Sequence, residues 1–457
     1  MSKSLNHDSK FIPRFFPADI RNICEPPAQA EPRGSACFDK QIQYSGWETM
    51  LTKFSATYHE YPRTFWLMVS VNFIDRLGAS LLFPFFALYL TQRFGVGMTE
   101  VGKLFAAFAL SSFLGAFPGG ALADRFGRKG IIIFSLVSTS LVTLLMGLAN
   151  SLDMFVAIAF ISGIFTDIGG PAYEAAFMDV LPPDKRTSGF GIRRVAFNLA
   201  VVLGPAIGGF IAARSYFALF MIDAAVSAVV ALLVFVLIPE TKPSRAEGEK
   251  VESTAQSFGG YLRVLRDGKF IAFVAVCFLV FLVYMNLSTT LGVYLRDSHG
   301  IPTSGYGWLI SLNAFMVVLF QFPITRRIEK RQPMVMMAFG TLLYAIGFGM
   351  YGVISSYPLF IAGMAILTIG EMVVAPVANA LVASFAPEDM RGRYNFVFGF
   401  SWGFAFAVGP YLAGLIMDNY NPDLLWSACF VLGLLASILF LLLQRLSHPK
   451  TEAIRAE

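Results

Sequence analysis

Charge is scarce in this sequence: Asp, Glu, Lys and Arg make up 14% of it, against roughly a quarter in an ordinary soluble domain. Hydrophobic residues fill 56% of the 457 positions and the mean hydropathy is +0.63, which argues against a disordered chain and against a soluble enzyme. Cysteine is equally scarce. Of the four present, Cys24 and Cys37 fall in a polar N-terminal stretch and Cys277 and Cys429 in apolar runs, so neither a disulfide framework nor a thiolate metal site follows. The four histidines, His7, His59, His299 and His448, stand outside the apolar runs and form no zinc or catalytic cluster. No G-x-x-x-x-G-K-[ST] loop is present, which excludes direct ATP drive. The net charge is only +5, and the basic residues lie in short loops rather than on one face, so nucleic acid is not an expected partner. No metal, cofactor or catalytic residue is expected.

What the chain has is apolar runs of twenty residues or more, the length that crosses a hydrocarbon core. They predict an all-α integral membrane protein with twelve spans, at about 64–90, 99–122, 130–149, 152–180, 190–212, 216–238, 270–295, 304–325, 333–354, 358–383, 394–417 and 424–444. Residues 1–62 are polar, without the basic start, apolar core and cleavage site of a secretory signal. They read as a loose cytoplasmic extension, and translation starting at Met50 is one expectation to test by mass spectrometry of the native N-terminus. The remaining organisation is a six-span half at 63–238, a charged linker at 239–269, a second six-span half at 270–445 and a tail at 446–457.

Lys and Arg in short loops set orientation. With the N-terminus inside, thirteen fall in inside loops (Arg125, Arg128, Lys129, Lys185, Arg186, Arg193, Arg194, Arg326, Arg327, Lys330, Arg331, Arg391 and Arg393), and three fall outside (Arg93, Arg214 and Arg296). Both termini are therefore expected in the cytoplasm. The halves are also related in sequence. Pro171, Pro182, Asp184, Arg186, Gly204, Pro205 and Gly209 return 205 residues later as Pro376, Pro387, Asp389, Arg391, Gly409, Pro410 and Gly414, and Tyr89 and Leu90 return as Tyr294 and Leu295. Two parallel halves place a substrate site at their interface, so the duplication argues for a transporter.

Between spans two and three stands Gly120-Ala-Leu-Ala-Asp124-Arg125-Phe126-Gly127-Arg128-Lys129. An Asp at a helix end can accept backbone N–H bonds while the bases pair with carboxylates. At these residues the chain resembles the major facilitator superfamily, matching its loop signature at every position. The resemblance implies a cytoplasmic latch between the halves formed by Asp124 and Arg125, with Asp179 at the end of span four as a partner. Span five carries a second signature, Gly191, Arg194, Asn198, Gly204, Pro205, Gly208 and Gly209, which resembles the motif of drug/proton antiporters in that superfamily, with Ala200 where the pattern usually has Gly. Small residues let helices approach closely, and the proline removes one backbone donor; packing without directional meaning is the alternative reading of this motif. The corresponding loop of the second half, Ile324 to Arg331, carries Glu329 at the place of Asp124 but no matching glycines.

Ionisable residues within spans cost ~2.5–3.5 kcal/mol near the bilayer centre even on insertion scales, so they face a bundle interior. Asp75 and Arg76 in span one, Asp167 and Glu174 in span four, Asp223 in span six and Glu371 in span ten are of this kind. Asp75 and Arg76 are about 100° apart on a helix and are expected to find partners elsewhere. The hairpin of spans four and five predicts ion pairs Glu174 with Arg194 and Asp179 with Arg193, while Asp223 reads as structural. Asp75 is the first candidate for proton carriage, followed by Glu371 and Asp167, with Glu174 also a candidate; Glu371 is expected to face Asp75 or Asp167 across a central cavity. Arg76, Phe86, Tyr284, Asn379 and Trp402 are candidate cavity residues, in an aromatic lining that suits amphipathic or cationic ligands.

These readings add up to a secondary transporter, a monomer of the bacterial inner membrane that exports a small amphipathic molecule in exchange for protons. Two alternatives stay open: the same fold moving a sugar, peptide, metabolite or lipid, and a receptor or scaffold built on it.

Overall fold

The computed structural model describes residues 58–182, 185–242, 261–387 and 390–447, apart from the side chains of 117, 120, 124 and 187. Contacts divide the chain into Met1–Tyr61 and Pro62–Glu457, and all twelve spans belong to the second unit. They are long apolar helices: Arg63–Phe94, Met98–Phe126, Arg128–Leu148, Leu152–Val180, Arg186–Ala212 and Tyr216–Leu237, then Gly268–Thr289, Thr303–Ile328, Pro333–Tyr351, Tyr357–Phe385, Arg391–Asn419 and Asp423–Ser447. Among the described residues there is no strand, as lipid demands of a chain that must satisfy its own backbone.

Spans one and seven are broken in register. Span one runs helically to Leu82, passes through a 3-10 turn at Phe83–Phe85 containing Pro84, and resumes at Phe86. Span seven ends its first helix at Thr289, breaks at Thr290 and resumes as Leu291–His299. Proline, which lacks an N–H, sits at only one of these breaks, yet they fall 205 residues apart. Both resumed helices end on a left-handed glycine, Gly95 and Gly300, each at φ 64°, where glycine carries no Cβ penalty. The repeat is therefore one of backbone conformation as well as of residues. Span four is broken at Ile168, beside Asp167 and before Gly169-Gly170-Pro171, whereas span ten runs through Pro376 unbroken.

Within the first half, glycines set the spacing. A Cβ on Gly115 would lie 2.1 Å from the Ile164 carbonyl oxygen and one on Gly119 2.4 Å from that of Ile168, so span two lies directly on span four. A Cβ on Gly204 would lie 2.0 Å from Ser80 Oγ and one on Gly208 2.3 Å from the Leu81 oxygen, and Ser80 Oγ donates to the Ala200 carbonyl at 2.9 Å. Ala200 is fully buried there. The departure from the antiporter pattern at that position therefore costs no packing.

The halves meet along two crossings, span two with span eleven and span five with span eight. A Cβ on Gly102 would lie 2.3 Å from Tyr411 Cα and 2.7 Å from the Pro410 oxygen; one on Gly307 would lie 3.0 Å from Gly209 Cα and 3.2 Å from the Pro205 oxygen. Gly102 and Gly307 are themselves 205 residues apart, as are Pro205 and Pro410, so the crossings are symmetry-related. Hydrogen bonds between the halves lie on the side of the turns after spans one, five, seven and eleven: Asp418 to the backbone of Met98 and Thr99, Arg296 to Leu88 and Thr91, and Tyr216 to Thr303. Ring contacts between halves run from Phe210 with Trp308 to Phe113 with Phe400 near mid-helix. Towards the side of the Gly120–Lys129 loop, Gly191, Gly392, Gly399 and Gly403 face open space. Among the described residues, the halves are joined on one side and stand apart on the other.

Candidate functional site

The second half holds a cavity of about 330 Å³ between spans seven, nine, ten and eleven, walled by Phe281, Tyr284, Tyr344, Phe398 and Trp402, with Glu371 and Asn379 on its surface. The Glu371 carboxylate is held from two sides. Tyr284 donates its hydroxyl to Oε1 at 3.0 Å, and Asn313 of span eight donates Nδ2 to Oε2 at 2.7 Å. Asn313 is fixed in turn by Thr368 Oγ1 at 3.0 Å. Tyr284 stands between Tyr344 and Trp402, both with ring centroids at 5.7 Å, and Trp402 meets Phe281 edge-on at 5.0 Å. Among the described residues no cationic side chain pairs with Glu371, so the one acidic side chain in the aromatic box is held by two neutral donors.

Tyr284, Asn379 and Trp402, expected as cavity residues, line it. Phe86 does not: it packs among Phe105, Phe155 and Phe220 beneath the shut side, because the turn at Pro84 swings it into the first half's core. Arg76 lies outside this cavity as well. Glu371 does not face Asp75 or Asp167 across the molecule, since its carboxylate is turned to Tyr284 and Asn313 of its own half. Asn313 and Tyr344 escape a reading of the sequence; an Asn inside a run as apolar as Asn313's is a signal that could have found the first.

The first half carries a different group. Asp75 is half-buried and Arg76 exposed, and their closest approach is 3.9 Å, too long for a hydrogen bond. The two nonetheless lie within ion-pair range, so the expectation that each finds its partner elsewhere is not met among the described residues. Asp223 is almost fully buried against Gly78, whose Cβ would lie 2.9 Å from Asp223 Oδ1.

Both expected pairs of spans four and five are corrected, one by a single residue and the other to a different helix. Glu174 pairs with Arg193 at 2.7 Å, not with Arg194, and Arg193 lies over the rings of Phe177 and Phe190 at 5.0 and 4.9 Å. One residue further on, a rotation of about 100° turns Arg194 outward, where it is exposed. Asp179 pairs with Arg128 of the loop motif rather than with Arg193.

Gly120 and Asp124 lie outside the residues whose side chains are described. Arg125, Arg128 and Lys129 make contacts within the first half and with the start of the linker. Arg125 lies over the Phe126 ring. Arg128 N–H and Lys129 N–H donate to the two oxygens of Glu240, at 3.0 and 3.3 Å, so a carboxylate from beyond span six caps the N-terminus of span three. Lys129 Nζ donates in turn, at 2.7 Å, to the Phe235 carbonyl at the C-terminal end of span six. Both bonds complement the helix dipoles. Gly127 adopts φ 92°, and a Cβ there would strike Glu240 Oε2 at 2.5 Å, so both the backbone and the carboxylate require glycine. Partial burial opposes the charge on Glu240, but backbone N–H groups of Lys242, Arg128, Lys129 and Thr241 together outweigh it and hold the carboxyl below its ordinary range. Nothing in the sequence singles out Glu240. In the second signature, Gly204 and Gly208 serve span one and Gly209 serves span eight, while Pro205 lies inside the helix and Asn198 is half-buried.

Among the described residues, twelve long apolar helices in two repeated halves, joined at one end and holding a cavity around a carboxylate, have the architecture of a membrane transporter. A profile of the Major Facilitator Superfamily matches residues 68–306 and 276–457, and the chain belongs to that superfamily. It is 28% identical over 342 residues to a Na(+), Li(+), K(+)/H(+) antiporter of Planococcus maritimus, covering 69% of this chain and 80% of that one. It is 25% identical over 394 residues to the multidrug resistance protein MdtH of Salmonella typhimurium, covering 83% and 93%. The crystal structure of a mutant of the nucleoside transporter NupG superposes with a TM-score of 0.73 at 11% identity, over 83% of this chain and 100% of that one, a likeness of fold.

Proposed function

We propose that this protein is a proton-coupled exporter of small amphipathic cations, working by rocking of its halves, with the second-half cavity as the substrate site and Glu371 as its anchor. The observation that carries the reading is the Glu371 carboxylate, unpaired by any described cation and set among Tyr284, Tyr344, Trp402 and Phe281. A ligand cation gains from the carboxylate and from the ring faces together. The MdtH relative supports the drug class. The basic loops support placing the open side and both termini in the cytoplasm, which would make this an inward-facing state ready to load substrate from inside. Asp75 stays the first candidate for the proton, in a group separate from the cavity, followed by Asp167, with Glu174 engaged by Arg193.

A second reading, exchange of an alkali cation for protons, is favoured by the antiporter relative and by the carboxylates Asp75, Asp167 and Asp223 of the first half. Proteoliposomes loaded with a pH dye separate the two. Tetraphenylphosphonium should drive proton movement that Glu371→Gln abolishes, while Asp75→Asn binds the cation and uncouples the proton. Proton movement driven by Na⁺ or K⁺ and indifferent to Glu371→Gln would install the second reading, and unchanged organic-cation transport by Glu371→Gln would refute the first.

A further inference from the structure

We propose that Asp418 holds the crossing of spans two and eleven closed on the shut side of the transporter. It acts by capping, from one half, the N-terminus of a helix belonging to the other. Span two begins at Gly97, which has no side chain to cap its own helix, although the first N–H groups of every helix need acceptors. Asp418, in the last turn of span eleven, supplies both: Oδ1 accepts Met98 N–H at 2.9 Å and Oδ2 accepts Thr99 N–H at 2.7 Å. Gly414, one turn earlier on the same face, lets the helices meet, since its Cβ would lie 2.4 Å from Met98 C and O. Gly97 is needed for the same reason; a Cβ there would lie 2.4 Å from Asp418 Oδ2. Among the described residues no Lys or Arg pairs with Asp418, so its charge answers to the positive end of span two.

The related crossing lacks this device. The position 205 residues before Asp418 is Ala213, and the start of span eight is tied instead by a neutral bond, Tyr216 hydroxyl with Thr303 Oγ1 at 3.1 Å. Two crossings built alike in backbone are thus closed unequally, one by a charge-assisted bidentate cap and one by a single hydroxyl pair. When the molecule opens on this side, spans two and eleven must separate, and the bonds of Asp418 break at that crossing, beside those of Arg296 and Tyr216 elsewhere on the same side. Asp418 is therefore a positioning residue for the transport cycle, acting on the balance between the two access states and not on the ligand.

The inference rests on alternating access but not on any substrate, so its test uses none. Spin labels at Gln92 and Tyr420, exposed positions on the two sides of the seam, report their separation by double electron–electron resonance in a chain whose four cysteines are replaced by alanine. An Asp cap removed costs enough to shift an equilibrium about ten-fold, so Asp418→Ala should raise the ratio of long to short distances by about that factor at an unchanged melting temperature. Asp418→Asn, which keeps an acceptor oxygen, should shift it less. Gly97→Ala should shift it in the same direction with Asp418 intact, because the new methyl group displaces the carboxylate. Should Asp418→Ala fail to fold, Gly97→Ala and Asp418→Asn decide. Distance distributions unchanged in the folded variants would overturn the proposal, whatever the cargo proves to be.

Discussion

Two glycines on one helix should fail in opposite ways when given a methyl group. Gly102 of span two faces the backbone of the other half: its Cβ would lie 2.3 Å from Tyr411 Cα, 2.5 Å from Tyr411 N and 2.7 Å from the Pro410 oxygen. Carbon atoms pack best at roughly 3.5–4.0 Å, and with backbone on the far side no rotamer change can relieve the clash. Spans two and eleven must part by about 1.5 Å, and overpacking of this kind costs about 1–3 kcal/mol. Because the seam exists only while this side is shut, the cost falls on one access state. Gly102→Ala should raise the open-to-shut ratio by roughly 5- to 150-fold at 1.4 kcal/mol per decade, with little loss of melting temperature. Gly115, further along the same helix, clashes with the Ile164 oxygen of its own half at 2.1 Å. Both access states carry that contact, so Gly115→Ala should lower the melting temperature and leave the ratio alone. Gly307→Ala, with its nearest atom at 3.0 Å, should shift the ratio in the same direction as Gly102→Ala but less. The Gln92 and Tyr420 label pair, read beside a melting curve, checks all three. A Gly102→Ala protein that melts early with its distances unchanged would refute the claim that this crossing belongs to one state of the cycle.

Glu371→Gln should weaken tetraphenylphosphonium binding by roughly 10²–10³-fold, since one charge at about 4 Å in an effective dielectric near 20 contributes up to about 4 kcal/mol; Tyr284→Phe should cost about ten-fold or less, and equilibrium titration of the purified protein checks both. Arg193→Ala, which loses the Glu174 pair and two ring contacts, should destabilise by about 1–2 kcal/mol after allowing for solvent screening of the half-exposed pair, whereas exposed Arg194→Ala should stay within about 0.5 kcal/mol; equal melting curves would return the pairing to Arg194. Glu240→Gln should destabilise at neutral pH only. A carboxyl held below its ordinary range adds stability that is present above the unfolded-state value and lost as pH falls through the folded one, so the gap between wild type and variant should close in acid. A gap that stays constant as the pH is lowered through the whole carboxylate range would contradict the capping role.

The twelve spans and the repeat are legible because lipid enforces long apolar helices and because glycine and proline at helix crossings tolerate few replacements. The offset of 205 reaches further than the residues that reveal it, to Gly95 and Gly300, to Gly102 and Gly307, and to a helix break that ends at Phe85 in one half, after Pro84, and at Thr290 in the other. That last equivalence has no residue signature. Side-chain partners are less legible. Placing Glu174 and Arg194 at one depth is sound, but depth does not fix azimuth: the rings of Phe177 and Phe190 select Arg193. Glu371, Tyr284, Trp402 and Asn379 each stand out in the sequence, whereas Asn313, which holds the Glu371 carboxylate, owes its importance to a neighbouring helix. Asp418 and Glu240 are invisible for a shared reason. Each acts on backbone N–H groups of another helix, and a backbone acceptor needs no partner residue that a sequence can display.

That shared reason also orders the two halves. In the first half the charges are many and engage one another, with Asp75 near Arg76, Arg193 on Glu174 and Arg128 on Asp179. In the second half one carboxylate stands in an aromatic cavity, held by a phenol and an amide. The crossings that join them remain alike in backbone while their polar closures differ, Asp418 on one and Tyr216 on the other. A duplicated chain starts with two equal sites and two equal gates. The exchange proposed above would need them unequal, because each ligand would be discharged on the side where the other loads. The symmetry survives in the glycine and proline crossings and is lost at the carboxylates, which on that proposal would serve different cargo.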